Sequence, residues 1–371
     1  MPPGRRLSFP RELVAGVSLS LSGRFQLQGE QAFRGLRLWA DWVAGAGGLS
    51  LGPEGPRRPL RLHCLDDESR AARAEETVRH LLTYDRVDFL VGPYSSGLTE
   101  AVAPLVEARG KVLWNHGGAS DAIFQPGGRR LVSMPSPASD YLRALPAWVR
   151  RHDPEARRLS ILCAERGDFA GHVAEGAADG ARAAGFDAIR RTPFASPLRD
   201  VDSLLAETAA FGPDLLVGVG SFRDDIELVR HRGRLPPTTR LAVVAAGLDA
   251  FHAELGQLAE GVIGPSQWEP GLEPTPRSGP DAAWFCAAFE ATFGRRPDYP
   301  AAQAFALGVI LVECVRRAGS LDDAALLRAA HALETTTFYG GFRLEPATGR
   351  QVGHRVHLIQ WQASRKVRLS G

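Results

Sequence analysis

Cysteine is scarce in this sequence. The 371 residues include only four, Cys64, Cys163, Cys286 and Cys314, and no two of them are spaced as C-x-x-C. That absence removes any support for zinc or redox motifs, so we expect the thiols to serve as small buried apolar side chains. Their positions leave open a single disulfide bond.

Lysine is rarer still, since only Lys111 and Lys366 occur and arginine carries almost all of the positive charge. We interpret this as a composition bias that accompanies the many glycine and alanine residues. The 44 basic residues nearly balance the 42 acidic ones, which gives a net charge of +2. This balance gives no reason to expect nucleic acid or an anionic membrane as a partner.

Apolar runs long enough to cross a membrane are also missing. The longest uncharged apolar stretch, residues 300–312, is interrupted by Gln303 and is typical of a buried helix. Residues 1–23 include basic residues but no apolar core followed by a small-residue cleavage site, so they do not resemble a secretory signal. We therefore expect no direct membrane insertion, and a cytoplasmic location if Met1 is the true start.

Common catalytic motifs are absent, including G-x-S-x-G, H-E-x-x-H, G-x-x-x-x-G-K-[ST] and G-x-G-x-x-G. His116 is the best candidate for a catalytic histidine, but the sequence places no acid or nucleophile beside it, which favours a structural role. Asp66 and Asp67 follow a predicted strand and precede a helix, which favours helix capping. The sequence thus predicts no enzyme, no catalytic residue, no metal site and no cofactor.

What the sequence does contain is a repeated alternation of short apolar runs and amphipathic helices, in a chain long enough for two α/β domains. The predicted strands of the first series are 14–21, 61–65, 87–92 and 111–115. Those of the second series are 158–164, 186–192, 214–220 and 240–246. Alternating strands and helices predict parallel, doubly wound sheets, because right-handed crossovers place helices on both faces.

From residue 281 the pattern turns helical, and these late helices must cover a sheet built earlier. We expect the chain to cross between lobes near 135, 265 and 340. The first lobe would comprise 11–135 and 266–339, and the second lobe 136–265 and 340–371. The predicted fold is α/β, with two doubly wound parallel-sheet lobes, a three-stranded hinge and a ligand cleft between them.

Several segments, in this order and spacing, resemble type I periplasmic binding proteins of the leucine/isoleucine/valine-binding branch. They are LSGRFQLQGEQAFRGLRLWADWV, LDDES, DFLVGPYSSGLTEAVAPLVEARGKVLWNHGGASDAIF, ELGQLAEGVIGPSQWEP, PDYPAAQAFALGVILVECVRRAGSLD, GGFRLEPATGR and HLIQWQ. The resemblance extends from about Val14 to Trp361. It implies the hinged two-lobe fold and a role in ABC importers of amino acids and amides.

The resemblance assigns ligand binding to two first-lobe loops, GPYSSG and NHGGASDAIF. The implied residues there are Ser95, Ser96, Gly118, Ala119 and Ser120. A ligand carboxylate would be held through Ser96, Gly118 and Ser120, and hydroxyls and N–H groups where a helix begins suit such a group. Ordinary turns are the alternative interpretation. The family's loop cysteine is Ser95 here, so its disulfide bond to the neighbourhood of Cys64 is expected to be absent.

In the second lobe the implied ligand residues are Phe169, Phe222 and Gly247. Phe169 stands where the family has tyrosine, so the aromatic wall remains without its hydroxyl. A further aromatic position falls on Ser221 or Phe222. The acid that holds an α-ammonium in amino-acid binders should lie near Gly247, where Asp249 is the only acid. An aromatic or aliphatic carboxylate, or an amide, is therefore an open alternative to an amino acid.

Two hypotheses for function follow. The first is a solute-binding receptor that closes around a small solute and delivers it to the membrane permease of an ABC importer, in the periplasm as the resemblance implies. The second is a cytoplasmic ligand sensor of the same fold that regulates a partner protein. The missing secretory signal favours the second hypothesis, or else it reflects a trimmed or misassigned start.

Overall fold

The structure is a computed structural model that describes residues 11–124, 130–272 and 275–369. The chain divides into two compact units. Unit 1 comprises the described residues of 1–118, 125–134 and 274–349, and unit 2 comprises those of 119–124, 135–273 and 350–371.

This division differs from the predicted lobe boundaries at three places. The chain returns to unit 1 at 273 rather than near 265, because residues 263–266 form a strand of the unit 2 sheet. It leaves unit 1 at 349 rather than near 340, because residues 340–342 pair with 335–337 in a hairpin of unit 1. The short segment 119–124 belongs to unit 2.

The regular elements alternate along most of the chain. The helices are α1 (Gln26–Gly45), α2 (Ala71–Thr83), α3 (Ser96–Ala108), α4 (Leu145–His152), α5 (Asp168–Ala183), α6 (Val201–Phe211), α7 (Phe222–Arg230), α8 (Asp249–Leu255), α9 (Ala282–Phe293), α10 (Tyr299–Ala318) and α11 (Asp323–His331). The strands are β1 (Leu13–Leu19), β2 (Leu49–Ser50), β3 (Arg57–Arg58), β4 (Leu60–Asp66), β5 (Phe89–Val91), β6 (Leu113–Asn115), β7 (Leu131–Ser133), β8 (Arg158–Ala164), β9 (Ala188–Phe194), β10 (Leu215–Val219), β11 (Arg240–Val243), β12 (Ile263–Ser266), β13 (Thr335–Thr337), β14 (Gly340–Phe342), β15 (His357–Gln362) and β16 (Arg365–Arg368).

Unit 1 is built on a five-stranded parallel sheet of order β4-β1-β5-β6-β7. Nearly every residue of β1, an inner strand of this sheet, is buried, as expected for a strand with helices on both faces. The late helices α9 to α11 belong to this unit, and α10 packs along α1. Strand β7, which follows the loop after β6, was not predicted.

Helices α1 and α10 approach each other through two glycines. A Cβ atom added at Gly35 of α1 would lie 2.2 Å from the carbonyl oxygen of Ala301, and one added at Gly308 of α10 would lie 2.3 Å from the ring of Trp39. Distances this short require the absence of a side chain, so the two helices pack more closely than any other residue would permit.

We expect Gly35→Ala to lower the free energy of unfolding by about 1–3 kcal/mol, because the added methyl group would have to displace the backbone of α10. Urea unfolding would measure the change. Gly45 ends the same helix, and an added Cβ meets no atom within 4 Å. Gly45→Ala is thus the matched control, and it should be neutral or stabilising by up to about 1 kcal/mol. Equal effects of the two substitutions would contradict the close contact.

Unit 2 is built on a seven-stranded sheet of order β16-β15-β12-β11-β10-β8-β9. Its strands β12, β11, β10, β8 and β9 are parallel, as predicted. The sheet is nevertheless mixed, since β15 and β16 pair antiparallel at one edge. Their two-residue turn, Ala363 and Ser364, has positive φ at both positions, the geometry that closes a tight hairpin.

Strand β11 ends three residues earlier than predicted. The sequence RLAVVAA suggests a strand over 240–246, but the chain turns into a short 3₁₀ segment at Val244. The N–H of Ala245 donates to the carboxylate of Asp225 at 2.8 Å instead of to a neighbouring strand. A buried side chain thus ends the ladder.

All four cysteines are free thiols, with Cys163 and Cys314 buried and the other two partly buried. Among the described residues, no helix combines the length and apolar character needed to cross a bilayer.

Candidate ligand-binding site

Two predicted ligand loops of unit 1 lie side by side at the carboxyl edge of its sheet. They follow the neighbouring parallel strands β5 and β6. Tyr94 and Gly117 form a parallel bridge between them, and the N–H of Gly92 donates to the carbonyl of Trp114 at 2.8 Å. The structure therefore brings Ser95, Ser96 and Gly118 to one edge of unit 1.

Ser95 and Ser96 stand where α3 begins. Ser95 is the N-cap, and its Oγ accepts a hydrogen bond from the N–H of Leu98 at 3.4 Å. Its φ of 85° is in the left-handed region, a costly conformation for a serine that often marks a functional loop. Ser96 is the first helical residue and is 7% exposed. The first turn of α3 contains no acid, so the positive end of the helix dipole is not neutralised there.

Asn115 organises the second loop and was missed by the sequence reasoning. Its Oδ1 accepts from the N–H groups of Gly117 at 3.1 Å and Gly118 at 2.7 Å. Its Nδ2 donates to the carbonyl of Gly118 at 2.7 Å and to Oγ of Ser133 at 2.9 Å. Both backbone groups of Gly118 are thus engaged inside the loop. Asn115 is the only asparagine in the sequence and precedes two glycines, a signal that could have identified it.

His116 is completely buried. Burial lowers the pKa of its imidazole to about 4, so the ring is neutral near pH 7. Its ring lies 6.3 Å from that of Tyr94, and its carbonyl accepts from the side-chain amide of Gln303. These contacts fit the predicted structural role.

Asp66 and Asp67 brace a loop instead of capping a helix. The N-cap of α2 is Arg70, which makes no side-chain cap, so the prediction of helix capping was wrong. The carboxylate of Asp66 accepts from the N–H of Leu21 at 2.9 Å, and that of Asp67 accepts from the hydroxyl of Ser20 at 2.6 Å. The two residues after Asp67, Glu68 and Ser69, have positive φ, so the chain turns sharply there.

In unit 2, Ala119 contacts the backbone near Ala138, and Ser120 contacts α5. The carbonyl of Ala119 accepts from the N–H of Ala138 at 2.6 Å. Oγ of Ser120 accepts from the N–H of Ala122 at 3.3 Å and lies 3.2 Å from Nδ1 of His172 on α5. Ser120 is fully buried, so its hydroxyl has a structural role in addition to any contact with a ligand.

Phe169 lies in the first turn of α5, three residues before His172. Its ring is partly buried and meets that of Tyr141 edge-on, with centroids 5.3 Å apart. A cavity of about 550 Å³ opens beside this turn at the end of β8. Its lining residues are Cys163, Ala164, Glu165, Gly167, Asp168, Gly171, His172, Arg191 and Pro193. The structure thus brings Ser120, His172 and Phe169 to the same end of α5.

Phe222 and Gly247 follow β10 and β11 at the carboxyl edge of the unit 2 sheet. Phe222 is partly buried and opens α7, which Ser221 caps by accepting from the N–H of Asp224. Gly247 is buried against β12, where an added Cβ would lie 2.0 Å from the carbonyl oxygen of Pro265. Close packing therefore explains this glycine without a ligand.

Asp249, the acid expected to indicate an ammonium site, is bound within unit 2. Its carboxylate lies 2.9 Å from Nζ of Lys366, and the same ammonium donates to the carbonyl of Gly247 at 2.9 Å. Nζ also lies 2.9 Å from the carboxylate of Glu269. One of the two lysines of the chain thus occupies the neighbourhood of Gly247.

Asp225 is a buried acid that the sequence did not reveal. It is 1% exposed, and its carboxylate accepts from the N–H groups of Gly220 at 3.0 Å and Ala245 at 2.8 Å. Burial, together with the neighbouring Asp224, raises the pKa of Asp225 to about 7. It therefore supports the backbone of two loops and is partly protonated near neutral pH.

The chain is similar to known solute-binding proteins. Leu/Ile/Val-binding protein homolog 8 of Brucella abortus is 26% identical over 240 residues, which cover 62% of this chain and 57% of that protein. The match thus spans little more than half of that relative's length.

Solved structures share the fold. One is the solute-binding protein of an ABC transporter from R. palustris in complex with benzoate, with a TM-score of 0.80, 21% identity, and coverage of 97% of this chain and 96% of the other. Another is the branched-chain amino acid transporter substrate-binding protein LivJ from Streptococcus pneumoniae in complex with isoleucine. Its TM-score is 0.80 at 16% identity, with coverage of 96% of this chain and 100% of the other.

The model of the periplasmic binding protein family matches residues 12–366, almost the whole chain. This match confirms the resemblance drawn from the sequence, and the two α/β units confirm the predicted fold class. The protein belongs to the periplasmic binding protein family.

Proposed function

We propose that the protein is the solute-binding receptor of an ABC importer. It works in the periplasm, takes up a small amino-acid-like, carboxylate or amide solute by closure of its two units, and passes it to a membrane permease. The observation that carries this proposal is the pair of loops held together at the carboxyl edge of the unit 1 sheet by the bridge between Tyr94 and Gly117. Carboxyl edges of parallel sheets are where such proteins bind ligands.

The start of α3 favours a negatively charged solute group. The helix has 13 residues, and Ser95 and Ser96 stand at its N-terminus, the positive end of its dipole. A carboxylate there would accept from these groups and benefit from the helix dipole. The proposal therefore places the solute's carboxylate or amide oxygen at this turn.

The names of two similar proteins suggest which classes of solute to consider. The Brucella relative is named for leucine, isoleucine and valine, and the R. palustris protein was solved with benzoate. Both an aliphatic amino acid and an aromatic acid combine a carboxylate with an apolar side chain or ring. Phe169 supports an apolar contact from unit 2, because its ring is only partly buried and its neighbour in the chain, Asp168, lines the cavity at the end of β8.

We expect Ser96→Ala and Ser120→Ala each to weaken solute binding by about tenfold to a hundredfold. The reason is that a hydrogen bond to a charged group contributes about 1.5–3 kcal/mol. A thermal-shift screen of amino acids, amides and aromatic acids would first identify a solute, and titration calorimetry would then compare the variants.

Ser320→Ala is the matched control. Oγ of Ser320 accepts from the N–H of Asp322 at 3.0 Å, two residues on, just as Ser120 accepts from Ala122. The Ser320→Ala variant therefore loses the same kind of hydrogen bond outside the proposed site. Its affinity for the solute should be unchanged. Wild-type affinity in both Ser96→Ala and Ser120→Ala would show that the solute binds elsewhere.

A further inference from the structure

The short segment 119–124 belongs to unit 2, although the described residues before and after it in the chain belong to unit 1. It includes Ser120, one of the candidate ligand residues. The segment forms a 3₁₀ turn, Asp121–Ile123, and contributes no strand to the unit 2 sheet. The position of Ser120 in unit 2 therefore depends on side-chain and loop contacts instead of a β-ladder.

The carboxylate of Asp121 binds the part of unit 2 that follows β7. Its Oδ2 accepts from the N–H of Ser139 at 2.9 Å, and its Oδ1 accepts from the hydroxyl of Ser139 at 2.7 Å. The Asp121 side chain is 19% exposed, so solvent screens these bonds only in part. An ionised carboxylate has about four acceptor positions, and these two bonds leave room for a further donor.

Arg350 supplies that donor. It is the first residue of unit 2 after the chain leaves unit 1 for the last time. Its Nη1 lies 3.2 Å from Oδ1 of Asp121, and its Nη2 donates to Oγ of Ser139 at 2.9 Å. Nη2 also lies 3.6 Å from the carboxylate of Asp140. Because a guanidinium is planar and its N–H groups have fixed directions, this one side chain holds its partners in a defined arrangement.

Helix α5 packs against both ends of this network. A Cβ atom added at Gly176 would lie 1.9 Å from the carbonyl oxygen of Ser139, so the two backbones are in close contact. One turn earlier on the same face of α5, Nδ1 of His172 lies 3.2 Å from Oγ of Ser120. Adjacent turns of α5 therefore hold Ser120 directly and its neighbour Asp121 through Ser139.

We propose that Asp121 and Arg350 are positioning residues of the solute site. Through Ser139 they hold the segment 119–124 beside α5 and so direct the hydroxyl of Ser120 toward the solute. The inference rests on the proposed receptor function. Neither side chain touches the solute. They act because a hydrogen bond weakens steeply with distance and angle, so a hydroxyl displaced by about 1 Å no longer bonds its partner.

A double-mutant cycle tests whether Asp121 acts through the hydroxyl of Ser120. Titration calorimetry compares Asp121→Ala with wild type, and Asp121→Ala/Ser120→Ala with Ser120→Ala. The probe is the tightest binder among L-leucine, L-isoleucine, benzoate and benzamide. Asp121→Ala alone should weaken binding by about tenfold, as expected for loss of the hydrogen bond from Ser120. In the Ser120→Ala background it should weaken binding by less than about twofold, because no hydroxyl remains to be positioned.

Arg350→Met is a second variant for the same cycle, since it keeps a long side chain and removes the charge. We expect a smaller loss of affinity, about threefold to tenfold, because the bonds between Asp121 and Ser139 remain. This loss should also disappear in the Ser120→Ala background. If Asp121→Ala does not fold, Arg350→Met decides the question by the same comparison.

Asp153→Ala is the matched control, because Asp153 belongs to a similar ion pair elsewhere in unit 2. Its carboxylate lies 2.9 Å from Nη1 of Arg240, where β11 begins. The two side chains are 34% and 30% exposed, comparable with 19% for Asp121 and 31% for Arg350. This variant should bind the probe like its parent in both backgrounds.

Three results would overturn the inference and leave the receptor function standing. The first is an equal loss of affinity in both backgrounds, since a purely structural role weakens binding whether or not the hydroxyl is present. The second is wild-type affinity in both Asp121→Ala and Arg350→Met, and the third is wild-type affinity in Ser120→Ala. Wild-type protein that binds none of the four probes would instead count against the proposed receptor function, and the inference would fail with it.

Discussion

Asn115→Ala is expected to lower the free energy of unfolding by about 3–5 kcal/mol, among the largest effects of any single substitution in unit 1. The side chain is completely buried and makes four hydrogen bonds, to Gly117, Gly118 and Ser133. Truncation leaves several buried polar groups without partners, and each such group costs about 1–3 kcal/mol. Urea unfolding at fixed pH would measure the loss.

The same variant should also bind solute more weakly, because Asn115 fixes the loop that lies beside Ser96. The exposed Gln362 provides a control in which an amide side chain is also lost, and Gln362→Ala should change stability by no more than about 0.5 kcal/mol. Equal stability of Asn115→Ala and Gln362→Ala would contradict the hydrogen-bond network described for this loop.

Acidification is expected to affect the two units in opposite directions. His116 in unit 1 has a folded-state pKa of about 4, below its ordinary value of 6.5. The unfolded chain therefore binds the additional proton between these values, and unit 1 loses stability as the pH falls from 6.5 to 4. Asp225 in unit 2 has a folded-state pKa of about 7, above its ordinary 3.8. There the folded state binds the proton, so unit 2 gains stability as the pH falls from 7 toward 4.

Each of these effects amounts to about 3–4 kcal/mol over its full pH window, because a tenfold change in proton binding is worth a little over 1 kcal/mol. Hydrogen exchange with peptide mapping, which reports local stability, would follow each unit separately at pH 7 and pH 5. Burial also raises the pKa of Asp67 in unit 1, which offsets part of the loss there.

The difference between wild-type protein and His116→Leu therefore isolates the contribution of His116. The variant should show less loss of protection in unit 1 on acidification and the same response as wild type in unit 2. A pH response of unit 1 that His116→Leu leaves unchanged would mean that the imidazole is charged or hydrogen-bonded in the folded state.

Periodicity determined the parts of the fold that depend on near neighbours in the chain. Apolar runs and helical spacing predicted most strands of both sheets and the helices between them, because side-chain period follows directly from strand and helix geometry. The resemblance to periplasmic binding proteins selected the loops after β5 and β6 as ligand loops, and the rule that parallel strands end at one edge of a sheet agrees with that choice. The three-residue strand β7 was missed, although β5 and β6 are equally short and were predicted.

The sequence alone, through its residue order and its resemblance to periplasmic binding proteins, determined the α/β class, the two units and the candidate ligand residues. Only the tertiary structure showed that Asn115 ties Gly118 into its own loop, that His116 is sealed from solvent, and that Lys366 reaches Asp249 from the last strand. Those contacts depend on burial and on groups far apart in the chain. A local pattern determines which face of a helix or strand is apolar, but the partner that a buried charge or amide meets depends on how distant segments pack together.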